Sequence, residues 1–258
     1  PNLAGAGANM EIHRPKKPID GLRDLAKEVG VIVIGVAIAL AGEQVVETLH
    51  DRHVAAEARE AVRAEIVYNL RLIRMRQAQD ACVDRKLTEV AGLLEADELR
   101  KRPERPGWIG QPADTFTAEG TWAAATGAGR TALFGLNEQS RYARIYSYFL
   151  AFNFEHSREQ AAWAQLRALE TWKGAIGEAG RLRFSAALQD ARYERYKLAM
   201  LAWLAGVDAK AVGLSAGSDA EVLGTSGLKE LPHAVCVPIT TPRDQALASL
   251  SDPAGQPQ

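Results

Sequence analysis

Val29–Gly42 reads VGVIVIGVAIALAG, an apolar run closed by Glu28 on one side and Glu43 on the other. A run of about 10–14 apolar residues is a buried core helix, a signal-peptide core or the centre of a span. Leu25 and Ala26 extend it on one side and Val45, Val46 and Leu49 on the other, while Lys27 can reach back to the interface, so about 20 residues are usable as a spanning helix. Ala39-Leu40-Ala41 fits a signal-peptidase site and keeps cleavage as a rival, with a soluble core helix as the other. An uncleaved anchor is the preferred reading.

Arg14, Lys16, Lys17, Arg23 and Lys27 precede the run, and Glu43, Glu47 and Asp51 follow it. By the positive-inside rule the N-terminus is cytoplasmic and the bulk of the chain periplasmic, at a bacterial inner membrane. Met10 opens an initiator-like stretch, MEIHRPKKP, so Pro1–Asn9 is left out of the fold argument. Gly35, Ala39 and Gly42 fall on one helix face, a small-xxx-small spacing that lets a second transmembrane helix approach. The ordinary abundance of Gly and Ala in membrane helices explains the same residues equally well.

The whole chain carries a formal charge of −1, which gives no electrostatic case for nucleic acid. Ala, Leu, Arg and Glu dominate, and no proline occurs between Pro18 and Pro103 or between Pro112 and Pro232. Two long helical blocks are therefore expected, separated by RKRPERPGWIGQP. Ala55, Ala58, Val62, Ile66, Leu70 and Ile73 recur at spacings of three and four, an amphipathic stalk continuing from the span, with a break expected near Gln79–Asp84.

Beyond the proline-rich loop, Thr121 is the expected cap of a short helix ended by Gly127, and a further short piece covers Thr131–Phe134. Asn137 is the expected cap of a long helix whose apolar stripe is Tyr142, Ile145, Phe149, Phe152, Trp163, Leu166 and Leu169. Gly177–Gly180 reads as a turn and Leu182–Leu204 as the last helix, stopped at Gly206. VCV around Cys236 reads as a short strand, and Pro242–Leu250 as a small terminal helix. The expected fold is all-α: a cytoplasmic tail over 1–20, a transmembrane helix over 21–49, an extracytoplasmic bundle of three or four helices over 50–206, and an irregular extension over 207–258.

Cys82 and Cys236 are the two cysteines, and in an oxidising compartment they are the candidate disulfide. Two buried thiols are the alternative.

The stretch Met10–Ile66, with Lys27-Glu28-x-Gly30, the apolar run and Glu43-Gln44, resembles the N-terminal part of an uncharacterised family of bacterial single-span membrane proteins with no assigned function. The likeness extends loosely to WAAATGAG (Trp122–Gly129) and YARIYSYF (Tyr142–Phe149). It implies a short basic tail, one span and a helical extracytoplasmic domain, and brings no activity.

Chemical motifs are weak. Glu47-x-x-His50 with His53 needs a second such unit for a di-metal site, and Glu230-Leu-Pro-His233 contains a proline. Gly127-x-Gly129-x-x-Ala132 lacks a preceding strand. Gly213-x-Ser215-x-Gly217, followed by Asp219 and His233, has the order of a serine hydrolase but no strands to present the serine. Arg141 and Arg144 with Tyr142 and Tyr146, and Arg192 and Arg195 with Tyr193 and Tyr196, form a candidate interaction surface. Core tyrosines with outward arginines are the preferred reading of both groups.

No cofactor or metal is expected. The expectation is a non-enzymatic accessory or scaffolding subunit that docks on a larger membrane protein complex, respiratory or photosynthetic for instance, or self-associates through its transmembrane helix in the lipid bilayer. An extracytoplasmic ligand-sensing module is the alternative, and a serine hydrolase the remote one.

Overall fold

The computed structural model describes residues 21–98, 105–218 and 234–251. Helix α1 spans Leu22–Ala78, α2 Asp80–Glu98, α3 Gly120–Gly127, α4 Leu136–Arg167, α5 Gly177–Ala211 and α6 Arg243–Ser251, with short 3-10 turns at Arg130–Leu133, Ala168–Thr171 and Ala234–Cys236. The chain divides into two compact units, residues 1–53 and 54–258.

The described part of the first unit is the N-terminal half of α1. It is long and apolar enough to cross a membrane, and none of its apolar window is buried. Val31, Ile32, Ile38 and Val46 all stand exposed. Within that window the helix is apolar around its circumference.

In the second unit the apolar periodicity of α1 is spent on packing. Ala58, Val62, Ile66, Leu70 and Ile73 join Tyr142, Ile145, Phe149 and Phe152 of α4 and Leu198, Ala202, Ala205 and Ala209 of α5 in one core. A second core joins Val83, Leu87, Val90 and Leu94 of α2 to Trp163 and Leu166 of α4, Phe184, Leu188 and Ala191 of α5, and Val235. Gln79 is the single turn residue between α1 and α2, where a break was expected.

Several local expectations change. Thr121 does not cap α3: the cap position is Glu119, without a side-chain bond. The carboxylate of Glu65, on α1, instead accepts the backbone N–H of Thr121 at 2.9 Å and of Trp122 at 3.2 Å. Asn137 lies inside α4, whose cap is Gly135.

Gly206 does not stop α5. A glycine inside a helix costs about 1 kcal/mol, and here buried Ala205 and Ala209 and the ion-paired Asp208 on either side carry the helix through it. The stop is Gly213, left-handed at φ 73°. Its N–H bonds to the Lys210 carbonyl at 3.0 Å and that of Leu214 to the Ala209 carbonyl at 2.9 Å, the two bonds of a Schellman motif.

The segment around Cys236 is a 3-10 turn and not a strand. It is tied down by the Cys82–Cys236 disulfide, with Cα atoms 4.8 Å apart. Gly107 and Gly110 let it approach: a Cβ on Gly107 would lie 2.2 Å from the Thr241 carbonyl oxygen, and one on Gly110 2.4 Å from that of Ala234. Gly107 and Trp108 both donate backbone N–H bonds to the Ile239 carbonyl, at 2.8 and 3.1 Å. Lys86 donates to the Val237 carbonyl at 2.7 Å, and burial lowers its pKa below the ordinary lysine value.

Candidate functional site

Gly35, Ala39 and Gly42 lie on the exposed apolar stretch of α1. A Cβ added at Gly35 or Gly42 would meet nothing within 4 Å. The strip is open for close approach by another helix.

Inside the second unit the two apolar cores are separated by a belt of buried polar groups, where α1 passes into α2. Arg76, Gln79, His156, Glu159 and Glu194 are all buried there. Arg76 pairs with Glu159 and, at 3.1 Å, with Asp80. His156 places Nδ1 3.2 Å from a Glu159 oxygen and accepts the Thr115 N–H on Nε2 at 3.0 Å, which assigns the ring proton to Nδ1. Burial alone would raise the Glu159 pKa, but the His156 hydrogen bond and the Arg76 charge outweigh it and hold the carboxyl below its ordinary value. Asp80 goes the other way, raised by burial against Arg195 and Arg76.

The belt holds the loop that crosses it. Gln79 accepts the Ala113 N–H at 3.0 Å, Asn153 accepts the Thr117 N–H at 2.8 Å, and Asn69 accepts the Ala118 N–H at 2.8 Å. Sequence reasoning assigns Asn69, Asn153, His156 and Glu159 no role, and it reads Arg76, interleaved with Glu57, Glu60 and Glu65, as part of a solvated face with local ion pairs, which its burial against Glu159 overturns. Their one local sign is that Arg76, Asn153, His156 and Glu159 interrupt or adjoin the apolar stripes of α1 and α4.

The four candidate arginines do not form one surface. Arg144 makes two hydrogen bonds of 2.9 Å to Asp208, and Arg141 adds one of 3.2 Å, which holds the Asp208 carboxyl below its ordinary range. Arg195 pairs with Asp84, bonding it at 2.7 Å through one nitrogen, and so ties α5 to α2. Arg192 is exposed and rims a shallow pocket with Glu95 and Glu178. Along α5 the Asp208 cluster and Arg195 are about 20 Å apart at 1.5 Å per residue.

The tyrosines divide. Tyr142 and Tyr146 are core residues with Arg141 and Arg144 outside them, but Tyr193 and Tyr196 face outward, which inverts the expectation for α5. Arg195 is the residue drawn inward there, because two acids of α2 receive it.

A groove of 790 Å³ lies between α1, α5 and the segment after it, with Leu70, Ile73, Ala202 and Leu214 in its lining and Arg74 and Lys210 beside them. Ser215 lines it too, in an irregular segment and not on a strand-to-helix turn; its sequence partners Asp219 and His233 lie outside the described residues. Glu47, His50 and His53 are exposed on α1, Glu230 lies outside the described residues, and the Gly127–Ala132 motif begins at the last residue of α3 and not after a strand. Among the described residues no three His, Cys, Asp or Glu side chains gather closely enough to hold a metal ion. The chain matches no protein-family model, no curated protein and no solved structure.

Proposed function

We propose that this chain is a non-enzymatic, single-span accessory or scaffolding subunit of a bacterial inner membrane, N-terminus in the cytoplasm and helical domain in the periplasm. It docks on a larger membrane complex or self-associates. The observation that carries this reading is the wholly exposed apolar stretch of α1 in a chain whose second unit contains a disulfide. A disulfide of this kind persists in an oxidising compartment. The basic residues before the span and the acids after it orient it. The resemblance of Met10–Ile66 to single-span bacterial proteins supports the same topology.

The test is fractionation followed by capture. The full chain resists alkaline carbonate extraction, its C-terminal tag is cut by protease added to spheroplasts, and mild-detergent purification recovers a stoichiometric membrane partner or an oligomer. Release by carbonate, or protection of the tag, overturns the topology. Recovery as a clean monomer overturns the subunit reading.

The ligand-sensing alternative rests on the apolar groove, whose 790 Å³ lies in the range of small-molecule sites. A metabolite that co-purifies and is lost in Gly206→Leu, which fills the groove wall, is its specific sign.

A further inference from the structure

The core face of α5 is formed by Phe184, Ala191, Leu198, Ala205 and their neighbours. The opposite face carries a second apolar series. Tyr193, Tyr196, Met200, Trp203 and Val207 are 57%, 65%, 41%, 65% and 49% exposed. Their spacing alternates three and four, the 3.5-residue period of a helix seam that packs on another helix. A helix that already buries one face in its own core has no internal use for a second one. We propose that this seam is a dimer interface occupied by a second copy of the chain.

Three observations select a second copy. The first is area: an aromatic side chain offers roughly 150–250 Å², so three rings exposed to this degree supply about 400 Å², and with Met200 and Val207 the seam presents about 500 Å². One partner of a standard interface contributes about 800 Å², so the seam supplies the larger part of one and its flanks the remainder.

The second is shape. Trp203 and Val207 stand beside a hollow lined by Leu70, Ile73, Ala202 and Gly206, and a Cβ at Gly206 would meet nothing within 4 Å. Ridge and hollow on one surface are what a two-fold, self-complementary contact requires.

The third is charge. No seam position is ionised, and two of the cations beside it are already engaged, Lys197 with Glu155 and Glu194 and Arg195 with Asp84, which leaves Arg192 exposed at the flank. Two identical faces therefore meet without opposing the charges of Lys197 and Arg195.

This inference names one contact of the subunit proposed above and depends on that reading for its membrane setting alone. Met200 is the middle of the five seam residues, so a contact centred on the seam brings it to the Met200 of the other copy in either helix direction. Both native cysteines are bridged, which leaves an introduced cysteine as the reactive thiol. In native membranes carrying the full chain, Met200→Cys forms an oxidative cross-linked dimer, and Leu150→Cys, exposed on α4, does not.

In detergent, Tyr196→Glu with Trp203→Glu weakens the dimer at least about tenfold by mass photometry. Both side chains are exposed, so the helical circular dichroism of that variant stays unchanged. Three results overturn the proposal: equal cross-linking at the two cysteines, a dimer that survives the glutamates but is lost in Gly35→Leu with Gly42→Leu, or a monomer that loses a different protein when the glutamates are introduced. Carbonate extraction reads the anchor separately, so a chain that washes off the membrane yet still cross-links at Met200→Cys sinks the topology and leaves the seam standing.

Discussion

Arg76 of α1 and Glu159 of α4 meet in the interior of the bundle with 3% and 0% of their side chains exposed. They are 83 residues apart in sequence, and each has a further partner, Asp80 for the arginine and His156 for the glutamate. Removing one member of a buried pair strands the other, a loss of about 3–5 kcal/mol, whereas replacing both with apolar groups is often neutral. Arg76→Met and Glu159→Met should each lower the unfolding free energy in urea by that amount. The double variant Arg76→Met with Glu159→Met should lose less than the sum of the two. Strictly additive losses would remove the claim that the two charges compensate each other.

Acid should unfold the domain through its depressed carboxylates. Glu159, Glu65 and Asp208 all titrate below their ordinary values of 4.5, 4.5 and 3.8. A depressed folded-state pKa gives stability that is fully present above the unfolded value and lost as pH falls through the folded one. Asp80, raised by burial, works in the opposite sense: folding gains as pH falls through its own window above 3.8. The unfolding free energy should therefore decline mainly below about pH 4. Asp208→Asn should shallow that decline, measured by urea titrations at stepped pH, and an unchanged slope would assign the acid sensitivity elsewhere.

The Cys82–Cys236 bridge closes a sequence separation of 154 residues. In the chain-entropy model a loop of this length stabilises by about 5 kcal/mol. Replacing both cysteines with serine should lower the unfolding free energy by about that much. Amide exchange in residues 234–251 should accelerate before that of α4, because the bridge is the covalent tie of a short C-terminal segment otherwise held by bonds to the 107–110 loop and to Arg85 and Lys86 of α2, by the Arg243–Glu170 pair and by buried Val235. Equal acceleration in both would show that the bridge supports the bundle as a whole.

Glu65 serves as a cap supplied from another helix. It accepts the first N–H groups of α3 and the Tyr146 hydroxyl at 2.7 Å, and those bonds outweigh burial to depress its pKa. Burial and the same bond push the Tyr146 hydroxyl far above the ordinary tyrosine value. Glu65→Ala should cost about 2–3 kcal/mol, since two backbone donors and a buried hydroxyl lose their acceptor. Exchange at Thr121 and Trp122 should rise, whereas Thr121→Ala, which removes only the hydroxyl's bond to Glu65, should cost less.

The sequence by itself determined the elements whose signal is local and repeated. The apolar run at Val29–Gly42 and the three-and-four spacing from Ala55 to Ile73 and from Tyr142 to Leu169 follow from the hydrophobic effect acting on helical geometry, and a single chain carries that pattern in full. On composition alone Gly206 reads as the stop of α5, and Gly213 is not singled out for that role. Only the tertiary structure decided between them, because the ion pair of Asp208 with Arg141 and Arg144 reaches across to α4.

The same holds for Glu65 capping α3, for the buried belt around Arg76, His156 and Glu159, and for which face of α5 carries its tyrosines. Each depends on a charge or hydrogen-bond partner tens of residues away. A buried charge is tolerable only beside its counterpart, and sequence spacing does not record who that counterpart is.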